Sequence, residues 1–157
     1  MENLNIRRAE AGDVPSVVGL WEEFMDFHSA RDSRLRRAPD ANQAFAAFLE
    51  GRLRDPGTAV WVAELERTPV GYSLAVLSEA PPVFPDRRRG EICDLAVTAR
   101  FRRQGIGEAL LAAALDWFRE SGVTRVELRV SASNEVASAF WKKQGFAPFS
   151  EILSRTL

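Results

Sequence analysis

Two glycines at the predicted start of a helix give this chain a candidate site for a phosphate-bearing ligand. The segment Glu91 to Val97 has an apolar strand pattern, and Gly105-Ile106-Gly107 follows it at the entry to a helical pattern. The first N–H groups of a helix have no partner within the helix, and the helix dipole adds partial positive charge there. Glycine has no Cβ, so phosphate oxygens can approach the backbone closely. Three arginines between the strand and the glycines add full positive charges. The spacing therefore predicts a cofactor that carries phosphate.

Two other phosphate-binding motifs fit this segment less well. A Walker A loop requires Lys and then Ser or Thr after its second glycine, where this chain has Glu108-Ala109. A dinucleotide-binding turn is favoured by Glu127, which lies about 20 residues beyond the glycines. It is disfavoured by Leu110, which stands where the third glycine belongs, and by the seven residues that separate the strand from Gly105. A nucleotide- or dinucleotide-binding protein stays as a third hypothesis, and a helix start without any ligand stays as the simplest one.

The composition is that of a globular enzyme without a strong charge. The chain has 157 residues, 46% of them hydrophobic, with 21 basic and 22 acidic side chains and a net charge of −1. This is the size of one domain, predicted to span residues 1–157, and it has no overall field that would attract nucleic acid or a membrane surface. No apolar run approaches the length of a membrane helix, and the first residues lack the apolar core of a signal peptide. We therefore expect a cytoplasmic protein.

A single cysteine and a single histidine limit the possible chemistry. They cannot supply an intramolecular disulfide, a multi-Cys zinc site or the usual Ser-His-Asp arrangement, so no metal is predicted. Cys93 lies in the apolar strand pattern and is expected to be a small buried side chain. His28 recurs with apolar residues at helical spacing and is expected to line a groove.

The elements that position these residues follow the order β-α-α-β-β-β-α-β-α-β. This order predicts an α/β domain with a mixed sheet, in which the segment from Glu91 to Ser131 forms a right-handed parallel βαβ crossover. In that strand, regular alternation places Asp94 on the face opposite to Glu91 and Val97. The tail from Phe146 to Leu157 is expected to add one or two terminal strands.

Two motifs in register show a resemblance to a known family. Arg102-Arg103-Gln104-Gly105-Ile106-Gly107 matches a Gln/Arg-x-x-Gly-x-Gly/Ala loop, and the segment Asn134 to Phe146 matches Asn-x-x-Ala-x-x-Leu/Phe-Tyr-x-x-x-Gly-Phe except at its aromatic position. Both motifs resemble those of the GNAT superfamily of acyl-CoA-dependent N-acetyltransferases. The resemblance covers nearly the whole chain and implies a mixed, mostly antiparallel sheet of six to seven strands with about four flanking helices.

The resemblance implies acetyl-CoA as co-substrate. Backbone N–H groups of residues 103–108 would bind the pyrophosphate, and the strand before the loop would pair with pantetheine where it diverges from the next strand. The Val97 N–H would lie near the thioester carbonyl as an oxyanion-type donor. The cofactor-binding residues implied in this way are Leu95, Ala96, Val97, Arg102, Arg103, Gln104, Gly105, Ile106, Gly107, Glu108, Asn134, Phe140 and Trp141. Asn134 also fits a plain helix cap, and Phe140 a plain core role.

Two carboxylates in the same strand are candidates for the catalytic base. A neutral amine must attack the thioester, so a proton must leave an ammonium whose ordinary pKa is near 10. Glu91 occupies the position of the general base in several family members, and Asp94 could hold the substrate cation. Burial would raise the pKa of either carboxyl to a useful value. The simpler interpretations are a solvated surface charge for Glu91 and a structural hydrogen bond for Asp94.

The chain departs from the family at the general acid. The aromatic position usually held by Tyr is Trp141, whose indole N–H cannot protonate a thiolate. The acceptor groove is predicted to include Trp21, Phe24, His28 and Tyr72. These features predict an N-acetyltransferase that acts by direct transfer on a primary amine, either a small, amino-acid-like molecule or a peptide, in a possible homodimer. A non-catalytic acyl-CoA sensor is the alternative, because Trp141 replaces the acid.

Overall fold

A computed structural model describes residues 3–157 of the chain as a sheet covered by helices on both faces. The strands lie in the sheet in the same order as in the sequence: β1 (Leu4–Arg8), β2 (Thr58–Leu65), β3 (Thr68–Glu79), β4 (Arg88–Val97) and β5 (Arg125–Leu128). The helices are α1 (Val14–Ser29), α2 (Ala41–Arg54), α3 (Ile106–Glu120) and α4 (Glu135–Lys143). None of these helices is long and apolar enough to cross a bilayer.

Strand β4 connects the antiparallel part of the sheet to its parallel edge. It pairs antiparallel with β3 along its length, and parallel with β5 only from Arg89 to Ile92. Helix α3 makes the crossover between β4 and β5, as the sequence predicts. Beyond Ile92 the β5 side of β4 has no strand partner among the described residues, so the two strands diverge toward Val97.

A β-bulge at Cys93 changes the direction of the side chains that follow it. Leu74 of β3 is paired with Asp94, but the next residue, Ala75, is paired with Ile92. Cys93 is therefore an extra residue on β4, and a bulge of this kind shifts the alternation of side chains by one position. Cys93 is an exposed residue whose thiol is only partly covered, so the expectation of a buried cysteine is wrong.

The bulge brings the two carboxylates of β4 to one face of the sheet. Asp94 is paired with Leu74, which packs under α1 and α2, and Glu91 is paired with Val76, two residues further along β3. Val97 packs on the opposite side, with the core under α3. The expectation that Asp94 lies opposite Glu91 is therefore wrong, although Val97 does lie on the other face from Asp94.

Two hydrophobic cores hold the sheet between its helix layers. One lies under α3 and includes Ile106, Leu110 and Phe118, and the other lies under α1 and α2 and includes Val17, Phe45 and Leu49. This layering confirms the predicted mixed α/β architecture and its central crossover. Burying large apolar side chains on both faces is the main favourable contribution to such a fold.

The sheet of the described residues has five strands rather than the expected six to seven, because residues 144–157 contain none. Pro148 lacks the N–H that a ladder requires. The Phe149 ring packs against the Arg125 guanidinium instead of entering the core, with 5.0 Å between the ring centroid and Arg125 Cζ. Ile152 and Leu153 are exposed. The prediction of terminal strands in the tail is therefore wrong.

Candidate active site

The glycine turn before α3 leaves a row of backbone N–H groups without partners. Gly105 has φ +82° and Arg103 has φ +63°, both in the left-handed region. The first N–H of this segment that is bonded belongs to Ala109, which donates to the Gly105 carbonyl at 3.0 Å. Within the described chain, the N–H groups of residues 103–108 donate no hydrogen bond. A Cβ at Gly105 would meet no atom within 4 Å, so the space before the turn is open. This arrangement fits an anion at a helix N-terminus.

The divergence of β4 from β5 exposes backbone groups of β4 to a cavity. The Thr98 N–H donates to Val70 on β3, so by alternation the N–H groups of Leu95 and Val97 point to the diverging side. The Val97 carbonyl already accepts a 2.8 Å bond from Arg102 Nε. The cavity is lined from β4, β5, α1 and α4 by Phe24, His28, Ile92, Cys93, Leu95, Leu128, Arg129, Val130, Asn134, Ala137 and Trp141.

Asp94 and Tyr72 form a hydrogen-bonded pair beside this cavity. The buried Tyr72 hydroxyl donates to Asp94 Oδ2 at 3.0 Å. Burial raises the pKa of the Asp94 carboxyl, although the Tyr72 bond and the nearby His28 act in the opposite direction. Burial, reinforced by the Asp94 carboxylate, raises the pKa of Tyr72 well above its ordinary value, so this hydroxyl stays protonated and donates. Tyr72 is fully buried and therefore positions Asp94 instead of lining the groove.

Glu91 lies three residues before Asp94 on β4, beside Glu127 of β5. The two residues are paired in the parallel register, which places their side chains on one face. Glu127 is itself held by Arg125, whose Nε is 3.0 Å from Glu127 Oε1, and lies 3.6 Å from Arg89 Nη1. Glu91 makes no hydrogen bond or ion pair with its side chain in the described structure.

His28 and Asn134 meet across the cavity, one from α1 and one from the start of α4. Asn134 is buried, and its Oδ1 accepts the Ala137 N–H at 3.1 Å as a helix cap. Its Nδ2 lies 3.4 Å from His28 Nε2. His28 Nδ1 lies 2.7 Å from the Phe24 carbonyl. The predicted cofactor-side and acceptor-side residues are thus in contact.

A carboxylate that the sequence analysis missed ties α1 to the glycine turn. Glu23 accepts from the Thr98 hydroxyl and the Ala99 N–H, both at 2.7 Å, and lies 3.4 Å from Arg102 Nη2. These bonds fix the segment that leads from β4 into the phosphate loop. Nothing in the sequence pattern distinguishes Glu23 from its acidic neighbour Glu22.

The remaining predicted residues divide between the site and the core. Phe140 lies against the loop, because a Cβ on Gly107 would sit 3.6 Å from its ring, and it packs edge-on against Trp141. Trp21 stacks on Phe45 at 4.3 Å and joins α1 to α2, so it does not line the cavity. The other predicted cofactor residues lie on β4, in the turn or in the first turn of α3. Ala96 faces the core under α1 and α2, and Ile106 is buried in the core under α3. Gln104 contacts the Arg100 carbonyl, and Glu108 pairs with Lys143.

The free N–H groups of the site suit an anion and a thioester arm. The described residues supply no cluster of metal ligands. Among residues 3–157, no three His, Cys, Asp or Glu side chains converge in a way that could hold a metal ion. Unpartnered N–H groups at the turn and along β4 are the groups to which phosphate oxygens and amides bind.

Comparison with known proteins identifies the architecture. A model of the acetyltransferase (GNAT) family matches residues 18–146. The chain belongs to this family. The resemblance predicted from the two motifs is thereby confirmed, and this GNAT protein is an acyltransferase enzyme.

Relatives and a solved structure agree with this family over most of their lengths. The GNAT chain is 26% identical to the uncharacterised N-acetyltransferase YhfO of Bacillus subtilis, over 91% of this chain and 89% of YhfO. It is 32% identical to an N-alpha-acetyltransferase of Sulfurisphaera tokodaii, over 90% and 78% of the two chains. Its fold matches a predicted acetyltransferase of Clostridium acetobutylicum, solved with acetyl-CoA, with a TM-score of 0.78 at 19% identity over 98% and 96% of the chains.

Proposed function

We propose that this protein transfers an acetyl group from acetyl-CoA to a primary amine by direct attack in a ternary complex. The observation that carries the proposal is the course of β4. Its diverging end places Leu95 on the wall of a cavity and turns the N–H groups of Leu95 and Val97 to the side that lacks a strand partner, and the chain then enters a turn with unpartnered N–H groups. A thioester arm and a pyrophosphate need these two features in this order. The acetyl-CoA bound by the Clostridium acetobutylicum neighbour supports this interpretation.

The residues of the site fit acetyl-CoA. The N–H groups of residues 103–108 would hold its pyrophosphate, and the exposed Arg103 would add charge. Backbone groups of Leu95 and Val97 would pair with the pantetheine arm. Because the Val97 carbonyl is occupied by Arg102, Val97 would contribute only its N–H, which can stabilise negative charge on the reacting oxygen. When bound, acetyl-CoA supplies the acyl group as an activated thioester.

Asp94 is our candidate for the group that takes the first proton from the acceptor ammonium. It lies three residues before Val97, its pKa is raised by burial, and Tyr72 holds one of its oxygens. A carboxyl with a raised pKa is a better base toward an ammonium than an ordinary surface carboxylate. Glu91 shares this face of the sheet and is the second candidate.

The acceptor is proposed to be a small, amino-acid-like amine. The cavity is lined by the cation of Arg129 and the aromatic ring of Phe24, and Asp94 lies on β4 between the lining residues Cys93 and Leu95. This mixture suits a molecule with both an amine and an acidic group better than a polycation. The name of the Sulfurisphaera tokodaii relative makes a peptide N-terminus the second acceptor class. A cytoplasmic homodimer belongs to the same proposal, and light scattering after size exclusion measures the dimer.

Calorimetric titration followed by a thiol-release assay tests this function. Acetyl-CoA, CoA and NAD are titrated separately, and thiol release is then measured with glycine, glutamate, lysine, a short peptide and a polyamine. We expect binding of both CoA species, no binding of NAD, and release with at least one amine. Binding without release from any acceptor would favour the non-catalytic alternative. Binding of NAD without CoA would overturn the proposal.

Replacing Glu23 should weaken acetyl-CoA binding without removing it. Glu23→Gln removes the negative charge of the group that accepts two 2.7 Å hydrogen bonds and contacts Arg102. The segment before the turn is then less ordered in the free protein, and part of the binding free energy is used to order it. Hydrogen bonds to charged groups contribute about 1.5–3 kcal/mol, so we expect a loss of affinity of about tenfold. Calorimetry measures it.

The adjacent Glu22→Gln is the matched control for this change. Within the described part of the chain Glu22 pairs with Arg37 alone, at 3.2 Å on the surface, so its replacement should leave acetyl-CoA affinity unchanged. Equal affinities of the two variants would show that the Glu23 contacts do not support the turn.

A further inference from the structure

One side chain on the cavity wall can both accept and donate a proton through a ring nitrogen. Among the cavity-lining side chains of the described chain, only His28, Cys93 and Arg129 are ionisable. Arg is not deprotonated in proteins, and burial together with Glu91 and Asp94 raises the pKa of the Cys93 thiol to about 11. Trp141, on the same wall, has only an indole N–H. His28 is thus the remaining candidate for proton transfer inside the cavity.

The hydrogen bonds around His28 determine which of its nitrogens is free. A main-chain carbonyl can only accept, so the 2.7 Å contact between Nδ1 and the Phe24 carbonyl places a proton on Nδ1. Asn134 Oδ1 is used by the Ala137 N–H, so the atom that Asn134 turns toward His28 is its Nδ2 donor. In the neutral ring, Nε2 therefore holds a lone pair that faces the cavity.

The surroundings of His28 fix the ring and leave Nε2 with a weak hydrogen bond. Asp94, the proposed first base, lies near enough to His28 for the imidazole to act on the Asp94 carboxyl, whose pKa it lowers. The imidazole also packs against Phe24, with ring centroids 4.2 Å apart, which holds its plane. Among residues 3–157 the one hydrogen-bond partner of Nε2 is Asn134 at 3.4 Å, a long hydrogen bond that is readily given up.

We propose that His28 Nε2 carries a proton from the reacting amine to the departing thiolate. The assignment rests on the acetyl transfer proposed above. As the C–N bond forms and the C–S bond breaks, Nε2 accepts the proton that the amine nitrogen loses. Nε2 then releases this proton to the sulfur, which leaves as a thiol. His28 ends neutral, so the step needs no other reactant. Asp94 takes the earlier proton, which converts the ammonium to the amine.

Replacement of His28 by Gln tests the transfer. The Gln amide oxygen can still accept from Asn134, so a role limited to positioning is preserved while proton transfer is lost. General acid–base groups contribute about 10²–10⁴-fold, so we expect His28→Gln to lower turnover about 100-fold while the Kd for acetyl-CoA, measured by calorimetry, stays unchanged. His28→Ala should be partly rescued by added imidazole, whereas His28→Gln should not. Full activity of His28→Gln would overturn the proposal.

A measurement independent of activity uses the fact that His28 is the only histidine. In protein labelled with ¹⁵N-histidine, NMR should show one protonated Nδ1 and one unprotonated Nε2 in the neutral ring. The opposite tautomer would overturn the proposal whatever the turnover. If wild-type protein binds acetyl-CoA but releases no thiol with any amine, the proposed function fails and the role of His28 fails with it. If wild-type protein is active and His28→Gln is equally active, only the role of His28 fails.

Discussion

Gly105→Val is expected to abolish measurable acetyl-CoA binding while leaving the protein folded. The Val side chain would enter open space at the turn whose N–H groups, those of residues 103–108, are proposed to hold the pyrophosphate. Apart from its two chain neighbours, no residue has an atom within 4 Å of the new Cβ, so the main cost within the protein is the left-handed φ of +82°. That cost is about 1–2 kcal/mol for an L-residue. We expect an affinity loss of at least about 100-fold by calorimetry, equivalent to about 2.7 kcal/mol.

Gly122→Val is the matched control, because it carries the same backbone strain at the other end of α3. Gly122 has φ +73°, and a Cβ there would meet only an Arg88 nitrogen at 3.7 Å. The two glycines lie beyond the opposite ends of helix α3, whose 15 residues span about 22 Å at about 1.5 Å per residue. Both variants should lose a similar few degrees of Tm, but only Gly105→Val should lose affinity. Retained affinity in Gly105→Val would mean that the phosphate site lies elsewhere.

The parts of the fold that the sequence predicts correctly depend on local signals. The crossover follows from an apolar strand, a glycine turn and an amphipathic helix in succession, and both its strand pairing and its helix appear in the structure. The prediction of strands in the tail is wrong because apolar residues such as Phe149 and Ile152 resemble strand positions in the sequence. In the structure both residues are 70% exposed. Whether an apolar residue reaches a core depends on long-range packing, which periodicity does not contain.

The site shows the same limit at the level of single side chains. Sequence motifs place Gly105 and Asn134 in the site because their backbone roles are local. The bulge at Cys93 has no local signal, because it depends on how β3 pairs with β4, yet it decides which face Asp94 occupies. Glu23 likewise acquires its role through partners more than 70 residues away in the chain. The resemblance predicts Tyr72 in the acceptor groove, whereas in the structure its hydroxyl reaches Asp94 from within the core.

Asp94→Asn is expected to lower turnover and to raise stability at the same time. Asn can still accept the Tyr72 hydrogen bond but cannot accept a proton from an ammonium. General-base catalysis contributes about 10²–10⁴-fold, so we expect turnover to fall by about 100-fold or more with acetyl-CoA affinity unchanged. Glu91→Gln distinguishes the two carboxylates: if Glu91 is the base, that variant loses the turnover and Asp94→Asn keeps it. The exposed Asp116→Asn, which breaks only a surface pair with Arg119, should change neither quantity.

The stability effect has a defined dependence on pH. The pKa of Asp94 is raised in the folded chain, so folding favours its protonated form. Ionisation of Asp94 therefore lowers the free energy of unfolding. The cost is absent below the ordinary Asp pKa of about 3.9, grows as the pH rises toward the folded pKa, and is constant above it. Asn never bears it. The Tm of Asp94→Asn should therefore match that of the wild type near pH 4 and exceed it by a few degrees at pH 7. A wild-type Tm that exceeds the variant's at pH 7 would mean that the Asp94 carboxylate is stabilised by its neighbours, and that burial does not tune it as a base.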